Sequence, residues 1–478
     1  RALSALRFSE IAKIVLVEDR LSEVLALSVH KLLSREIASL TVAAAKRFLL
    51  SSSAELWWRS YRDGLSSEMI AAIVKVMTDE ELSAIAQKLF APLPGPPPSP
   101  MSDTDIAVGS PQHFGSRIQA NSPRDDEEEI LFSILEGLSY GCGDVFLSIS
   151  PANDDLENIA RLEQLLMRIA QRLKLPSRVC VMTDLATQAA INRHTKLDAG
   201  FERLAGTSSA MNFDIDDLPE IACDFAAMQF ETGRGIESAQ RLDEGVDSGT
   251  LEARAFGLAR HVRQQVEQRL RSPAWITVCS AIGRYDRRLF HSGQQILRAC
   301  LESAVMAKLH GLTVGLEICP AFELGIAPIT VQQLTAQIAR QAAPAYLTAT
   351  AGNVDPLSGA LTTSFREHPQ LRRANGKQIT TAMRRRLDEL GAINSTGESA
   401  AHALTTARLY TQYAQGGGDA RSSESLQAEG LKKLEQLKQR GFDLGYGHIG
   451  DYTAPKEVER RLEAIYTQAR RGLHAKLD

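Results

Sequence analysis

From Ser110 to about Leu390 short apolar stretches alternate with long stretches of helical periodicity, and this alternation constrains the fold more than any other feature of the chain. Strands are expected at Phe114 to Gln119, Val145 to Ile149, Arg178 to Thr183, Phe201 to Gly206, Met228 to Glu231, Trp275 to Ser280, Leu312 to Cys319, Ala345 to Thr350 and Leu357 to Thr363. Helical periodicity is clearest at Asp155 to Leu173, Thr250 to Leu270 and Gln294 to Leu309. Strands that hand over to helices in this way build parallel βα units, and roughly 250 residues of them make a (β/α)8 TIM-type barrel. Nine candidates exceed eight strands, so one is expected to be a rim strand or no strand at all. The competing arrangement is an open, doubly wound sheet. No G-x-G-x-x-G follows a strand, which argues against its dinucleotide-binding form.

The flanks have a different texture. Pro92 to Pro100 holds six prolines and a glycine in nine residues, which excludes both a helix and a central strand. It divides an N-terminal helical region, 1–91, from the barrel domain, 110–395, by a Pro-rich linker, 92–109. In the first region Ile11, Ile14, Val15, Val24, Leu25 and Leu27 recur at helical spacings. Trp57, Trp58 and Tyr61 are expected to pack these helices on the barrel, and Ser66 with Glu68 marks a helix start before an apolar run. Residues 396–478 read as a C-terminal helical extension. Gly416 to Gly418 break it, Leu426 to Arg440 and Glu457 to Lys476 are amphipathic, and it is expected to cover the barrel or contact another subunit.

Composition narrows the function classes. A net charge of -4 and a pI near 6.3 argue against a nucleic-acid-binding surface. The cysteines Cys142, Cys180, Cys223, Cys279, Cys300 and Cys319 form no C-x-x-C pair, so no metal site or disulfide framework is expected and a reducing, cytoplasmic setting fits. No apolar run reaches the roughly 20 residues that span a bilayer. The chain begins at Arg1 rather than methionine, which leaves room for residues ahead of it and for a removed targeting segment.

In a βα barrel the reactive groups sit where the strands end. The polar residues there are Arg117, Gln119, Ser150, Asp184, Glu231, Glu317 and Asp355. Carboxylates facing a guanidinium and an amide suit a small cationic or amphoteric ligand, although any one strand-end carboxylate is more often a helix cap or an ion-pair partner. Arg117 and Gln119, two apart on a strand, project to one side. Asp125 and Asp126 nearby offer the alternative of a surface ion network around Arg117.

The stretch from Arg117 through Asn121, Asp125-Asp126 and Glu136-Gly137-Leu138 to Gly143-Asp144 resembles the large subunit of ethanolamine ammonia-lyase, whose family reads Arg-x-Gln-x-Asn, Asp-Asp and Glu-Gly-Leu-x-x-Gly-x-Gly-Asp. Three further stretches follow in the same order: Phe230-Glu231-Thr232-Gly233 with Leu251 to Arg260, Arg298 to Leu309 with Gly315 to Cys319, and Thr362 to Phe365. Together they cover roughly residues 60 to 395. The resemblance implies a carbon–nitrogen lyase that uses adenosylcobalamin radical chemistry to eliminate ammonia from ethanolamine or a related amino alcohol, leaving an aldehyde. It places substrate-holding roles on Arg117 and Gln119, the essential carboxylate on Glu231, further substrate contacts on Ser150 and Glu317, and a cofactor contact on Ser150. It also implies a small partner subunit, self-association, and a cytoplasmic setting that includes bacterial microcompartments.

This sequence departs from the family around the same pocket. Ser150 and Glu317 stand where the family has Asn and Asp, Arg234 stands where it has Gln, and Pro320 to Glu323 replace a Tyr-Thr-Asn-His loop. Ordinary ethanolamine turnover is therefore expected to be poor unless the pocket compensates. A divergent member with another substrate or no catalysis is one alternative. A cobalamin-independent barrel lyase using Glu231 and Glu317 as an acid–base pair is the other.

Overall fold

A computed structural model describes residues 2–95, 105–234, 245–283, 290, 292–320, 328–393 and 402–440. Its centre is eight strands: β1 Gly115–Gln119, β2 Phe146–Ile149, β3 Arg178–Val181, β4 Ala199–Arg203, β5 Ala227–Arg234, β6 Ile276–Ile282, β7 Thr313–Ile318 and β8 Tyr346–Ala349. They pair in parallel in the order β3-β2-β1-β8-β7-β6-β5-β4. The two ends of that order, β3 and β4, are neighbours in sequence, so the sheet curls into a nearly closed (β/α)8 TIM-type barrel. The candidate at Leu357 to Thr363 is not a ninth strand. Asp355 Oδ1 accepts the N–H groups of Leu357 (3.0 Å) and Ser358 (2.7 Å), and the chain turns back so that Val354 and Leu361 form an isolated antiparallel bridge.

Side chains close the seam between β3 and β4. Buried Gln188 donates through Nε2 to Val181 O of β3 (2.8 Å) and accepts Phe201 N–H of β4 at Oε1 (2.9 Å), so one amide spans the gap that a backbone ladder would fill. The remaining N–H groups of β3 that face away from β2 go to carboxylates: Val179 to Asp198 Oδ2 (2.9 Å) and Val181 to Glu163 Oε1 (3.0 Å). Every buried backbone donor needs a partner, and here side chains supply it.

Strand parity sorts the interior. On β1, Ser116 and Ile118 face the helices while Gly115, Arg117 and Gln119 face the barrel axis. On β7, Gly315 lies under the Tyr346 ring, where a Cβ would sit 2.2 Å from ring carbons, so only glycine admits the aromatic that fills the lower barrel. The Glu-Gly-Leu to Asp144 motif has a packing role. A Cβ on Gly137 would meet Ile118 Cδ1 at 2.6 Å, Gly143 takes φ 90°, and Asp144 accepts His113 Nε2 (2.8 Å), Ser116 N (2.9 Å) and Thr380 N (3.1 Å). Burial alone would raise the Asp144 carboxyl, but those donors, His113 foremost, hold it below the usual range.

The N-terminal helices lie against helices Ser248–Leu270 and Gly293–Leu309. Trp58 is buried and donates to Leu309 O (3.4 Å), while Trp57 stacks on Phe48 with ring centroids 5.8 Å apart. Ser66 caps helix Ser67–Lys75 by accepting Met69 N–H (3.3 Å). Buried Arg254 ties the layers together, donating to Gly206 O (2.7 Å), Asp19 (3.0 Å), Ser22 (3.0 Å) and Glu68 (3.2 Å). The described ends of the Pro-rich segment are tied to each other, Leu93 N–H to Val108 O (2.9 Å), and Ala91 O just ahead of it accepts Thr313 Oγ1 of β7. Pro96 to Pro100 lie outside the described residues.

Helices His402–Gly416 and Ser423–Gln439 form a C-terminal helical extension on the outer face of helix Glu127–Ser139. Tyr410 stacks on Phe132 at 5.3 Å, and Arg440 reaches Asp126 (2.8 Å) and Glu129 (3.2 Å). The expected helix at Glu457 to Lys476 lies outside the described residues. Among the described residues no helix is long and apolar enough to cross a membrane.

Candidate active site

Arg117 is fully buried on the barrel axis and is the hub of the site. Its Nη2 donates to Glu317 Oε2 of β7 (2.5 Å), Gln119 Oε1 of its own strand (2.8 Å) and Thr348 Oγ1 of β8 (2.8 Å). Its Nη1 lies 3.9 Å from Glu231 Oε2 of β5. Burial opposes charge on this guanidinium, but the carboxylates of Glu317 and Glu231 hold its pKa above the ordinary value. Burial also pushes the inward Cys279 thiol up to about 12, so it faces the cluster as a neutral group. Arg117, Gln119, Glu231 and Glu317, drawn from three strands, thus meet around one guanidinium. The surface network with Asp125 and Asp126 does not form. Asp125 instead accepts Ala152 N–H (2.9 Å) and Asn153 N–H (3.0 Å), and Asp126 caps helix Glu127–Ser139.

Several buried polar atoms in this cluster have no hydrogen-bond partner among the described residues: Arg117 Nε and Nη1, Glu231 Oε2, and both ends of the Gln229 amide. Gln229 was not among the residues expected from sequence. It lies two residues before Glu231 on β5 and shares its inward face, so parity was the available signal. Unpaired buried polar groups are costly, and their concentration on one axis marks a place built for a polar guest.

The polar chain continues to the rim. Gln119 Nε2 (3.5 Å) and Asn121 Nδ2 (2.7 Å) both donate to Asp355 Oδ2, and Asn121 Oδ1 accepts Ser150 N–H (2.7 Å). Ser150 is at the same end of the barrel, its hydroxyl directed to Met182 Sδ (3.9 Å) and not to Arg117. Gln119, Asn121, Arg124, Thr350 and Arg440 help line a cavity of about 280 Å³ at this end. Asp184 stands apart from the cluster as the cap of helix Leu185–Asn192, accepting Thr187 N–H (2.8 Å).

Glu231 sits deeper than expected, because β5 runs on to Arg234 and leaves the carboxylate three residues below the strand end. Its Oε1 accepts from Nε of Arg203 (3.2 Å), the last residue of β4 and its register partner across the strands. Arg203 was missed by sequence reasoning, which put the end of that strand at Gly206. The side chain of Arg234 lies outside the described residues. Among the described residues no group of His, Cys, Asp and Glu side chains could hold a metal ion.

The model of a family described as ethanolamine ammonia lyase large subunit matches residues 1–402. The ethanolamine ammonia-lyase large subunits of Escherichia coli (strain K12) and Salmonella typhimurium (strain LT2) are each 26% identical to this chain over 316 residues, which is 63% of this chain and 65% of theirs. The match therefore spans less than two thirds of the length of these relatives.

Proposed function

The chain belongs to the ethanolamine ammonia-lyase large-subunit family, and on that premise we propose that it is the large subunit of an adenosylcobalamin-dependent lyase that removes ammonia from an amino alcohol to leave an aldehyde. The observation that carries the reading is the buried constellation of Arg117, Gln119, Glu231 and Glu317 with its unpaired donors and acceptors. Glu231 Oε2, which has no hydrogen bond among the described residues, would accept an ammonium N–H. Arg117 Nε and Nη1 are donors left for a hydroxyl oxygen, and the Gln119 carbonyl fixes the plane of the guanidinium. As the amine departs, Glu231 would hold its proton balance while Arg117 stabilises charge gathering on oxygen, in a site kept from water by burial.

The residues fit the substrate side of cobalamin chemistry. The buried unpaired polar atoms of Arg117, Gln229 and Glu231 suit a small amino alcohol and not a corrinoid, and the cavity of about 280 Å³ meets this cluster only at Gln119, so we assign the remaining cofactor contacts to a small partner subunit. Ser150, beside Asn121 at the rim, is the residue we place toward the cofactor. When bound, adenosylcobalamin would supply the organic radical that activates the carbinol carbon. Self-association and a cytoplasmic location, bacterial microcompartments included, belong to the same proposal. An acid–base lyase without cobalamin is less well served, because Glu231 and Glu317 share one guanidinium and neither is set apart as the acid.

The test is reconstitution with adenosylcobalamin and a small subunit, following ammonia and aldehyde release from a series of 2-amino alcohols. Glu231→Gln is expected to lower turnover by about 10²–10⁴-fold, the range for a group that manages a proton in the reaction. Turnover surviving that change, or no ammonia from any amino alcohol, would remove the assignment.

A further inference from the structure

Glu231 is bracketed by two guanidinium groups, and the second is unusual in its position. Arg203 reaches Glu231 Oε1 at 3.2 Å while its own side chain is 49% exposed and that of Glu231 is 6% exposed. It therefore joins the buried carboxylate to the open end of the barrel. Among the described residues only its Nε is engaged by a side chain, and the guanidinium carbon stands 5.7 Å from the centroid of the Phe201 ring, which gives it an apolar seat. The fork of the guanidinium remains available to an anion.

This geometry has a chemical consequence. Among the described residues Glu231 is shared by two guanidinium groups, Arg203 at its Oε1 (3.2 Å) and Arg117 near its Oε2 (3.9 Å). A simple amine cation entering beside Glu231 competes with both for one carboxylate and brings nothing to replace it. A zwitterion does: its ammonium can take Glu231 Oε2 while its carboxylate draws the fork of Arg203, a planar bidentate match.

Resting on the amino-alcohol reading above, we infer that Arg203 makes this site select an amino alcohol that carries its own carboxylate. The vicinal amine and hydroxyl meet the Glu231 and Arg117 groups, and the third substituent meets Arg203 at the rim. Arg203 is then a specificity-determining residue that touches substrate, and its present bond to Glu231 is the contact that the substrate carboxylate replaces.

The experiment measures binding of ethanolamine and of 2-amino-3-hydroxypropanoate by calorimetric titration of the full chain with its small subunit and cofactor, in the wild type, Arg203→Gln, Arg203→Lys and Glu231→Gln. The wild type is expected to bind the carboxylate-bearing ligand about 10–100-fold more tightly, the worth of a hydrogen bond to a charged group. Arg203→Gln is expected to erase or invert that ratio, and Arg203→Lys to restore part of it, a pattern that a merely structural arginine would not produce. Equal binding of the two ligands by the wild type, or an unchanged ratio in Arg203→Gln, would overturn the inference and leave the amino-alcohol reading standing. Failure of both ligands to bind, with Glu231→Gln indistinguishable from wild type, would overturn both.

Discussion

Two clusters of buried polar side chains, one at the β3/β4 seam and one at the barrel mouth, use the same residue types to opposite ends. At the seam Gln188 and Asp198 spend both ends of their polar groups on strand N–H and C=O groups or on Arg178, and Glu163 Oε1 takes Val181 N–H, leaving Oε2 as the one unpaired atom. At the mouth Arg117, Gln229 and Glu231 together leave five polar atoms without a hydrogen bond among the described residues. A polar side chain that repairs backbone pairing is saturated by the fold. One that serves a guest keeps its valences open, at a cost the rest of the barrel must offset.

The sharpest way to break this comparison is to treat the mouth as if it were structural. Arg117→Met keeps the side-chain volume but leaves Glu231 and Glu317 buried without their shared counter-charge. It should cost about 3–5 kcal/mol of stability, the range for removing one partner of a buried pair, and should abolish ammonia release. The urea midpoint and the turnover assay read the two effects separately. A stable variant that still releases ammonia would show that the cluster is neither a structural ion pair nor a substrate site.

The seam carries its own pH signature. Burial pushes the Glu163 carboxyl up to about 8, against an unfolded value of about 4.3. A raised carboxyl keeps its proton in the fold, so its stabilising contribution is full below about pH 4 and declines as pH rises towards 8. Glu163→Gln preserves an acceptor for Val181 N–H and removes the titration. The difference in unfolding free energy between wild type and variant should move in favour of the variant by at most about 1.4 kcal/mol per pH unit between pH 5 and 8. Parallel pH profiles would show that Glu163 does not titrate in this window.

The barrel was legible because parallel βα units repeat, so eight of nine strand candidates survive with ends shifted by a few residues. Leu357 to Thr363 misled because Leu357 and Leu361 share one parity and β-branched Thr362 and Thr363 follow, while Asp355 folds the start of the stretch into a turn. Arg117, Gln119, Glu231 and Glu317 were legible as strand residues of one parity and as family positions. Arg203 was not, because its role depends on β4 ending there and on its cross-strand register with Glu231, which no single-strand pattern contains. The seam was invisible for the same reason: Gln188 lies on a helix, and only the closed topology gives it two strands to join.

Gln188 therefore offers the smallest but cleanest test of the comparison. Gln188→Leu removes a buried amide that donates to Val181 O and Thr183 O (3.0 Å) and accepts Phe201 N–H, replacing it with an apolar group of similar size. Phe201 N–H would be left buried without a partner at a place where no ladder can recapture it, while Val181 O would keep the Thr183 N–H (3.0 Å). Stability should fall by about 1–3 kcal/mol, the penalty for one such orphaned donor, and exchange of the Phe201 amide hydrogen should quicken accordingly. Affinity for amino alcohols should hold, because the Gln188 amide bonds only to backbone groups of Val181, Thr183 and Phe201 and to no member of the Arg117 cluster. Weakened binding with an undiminished unfolding midpoint would mean that the seam tunes the mouth, and that saturation of polar groups does not separate structure from function in this barrel.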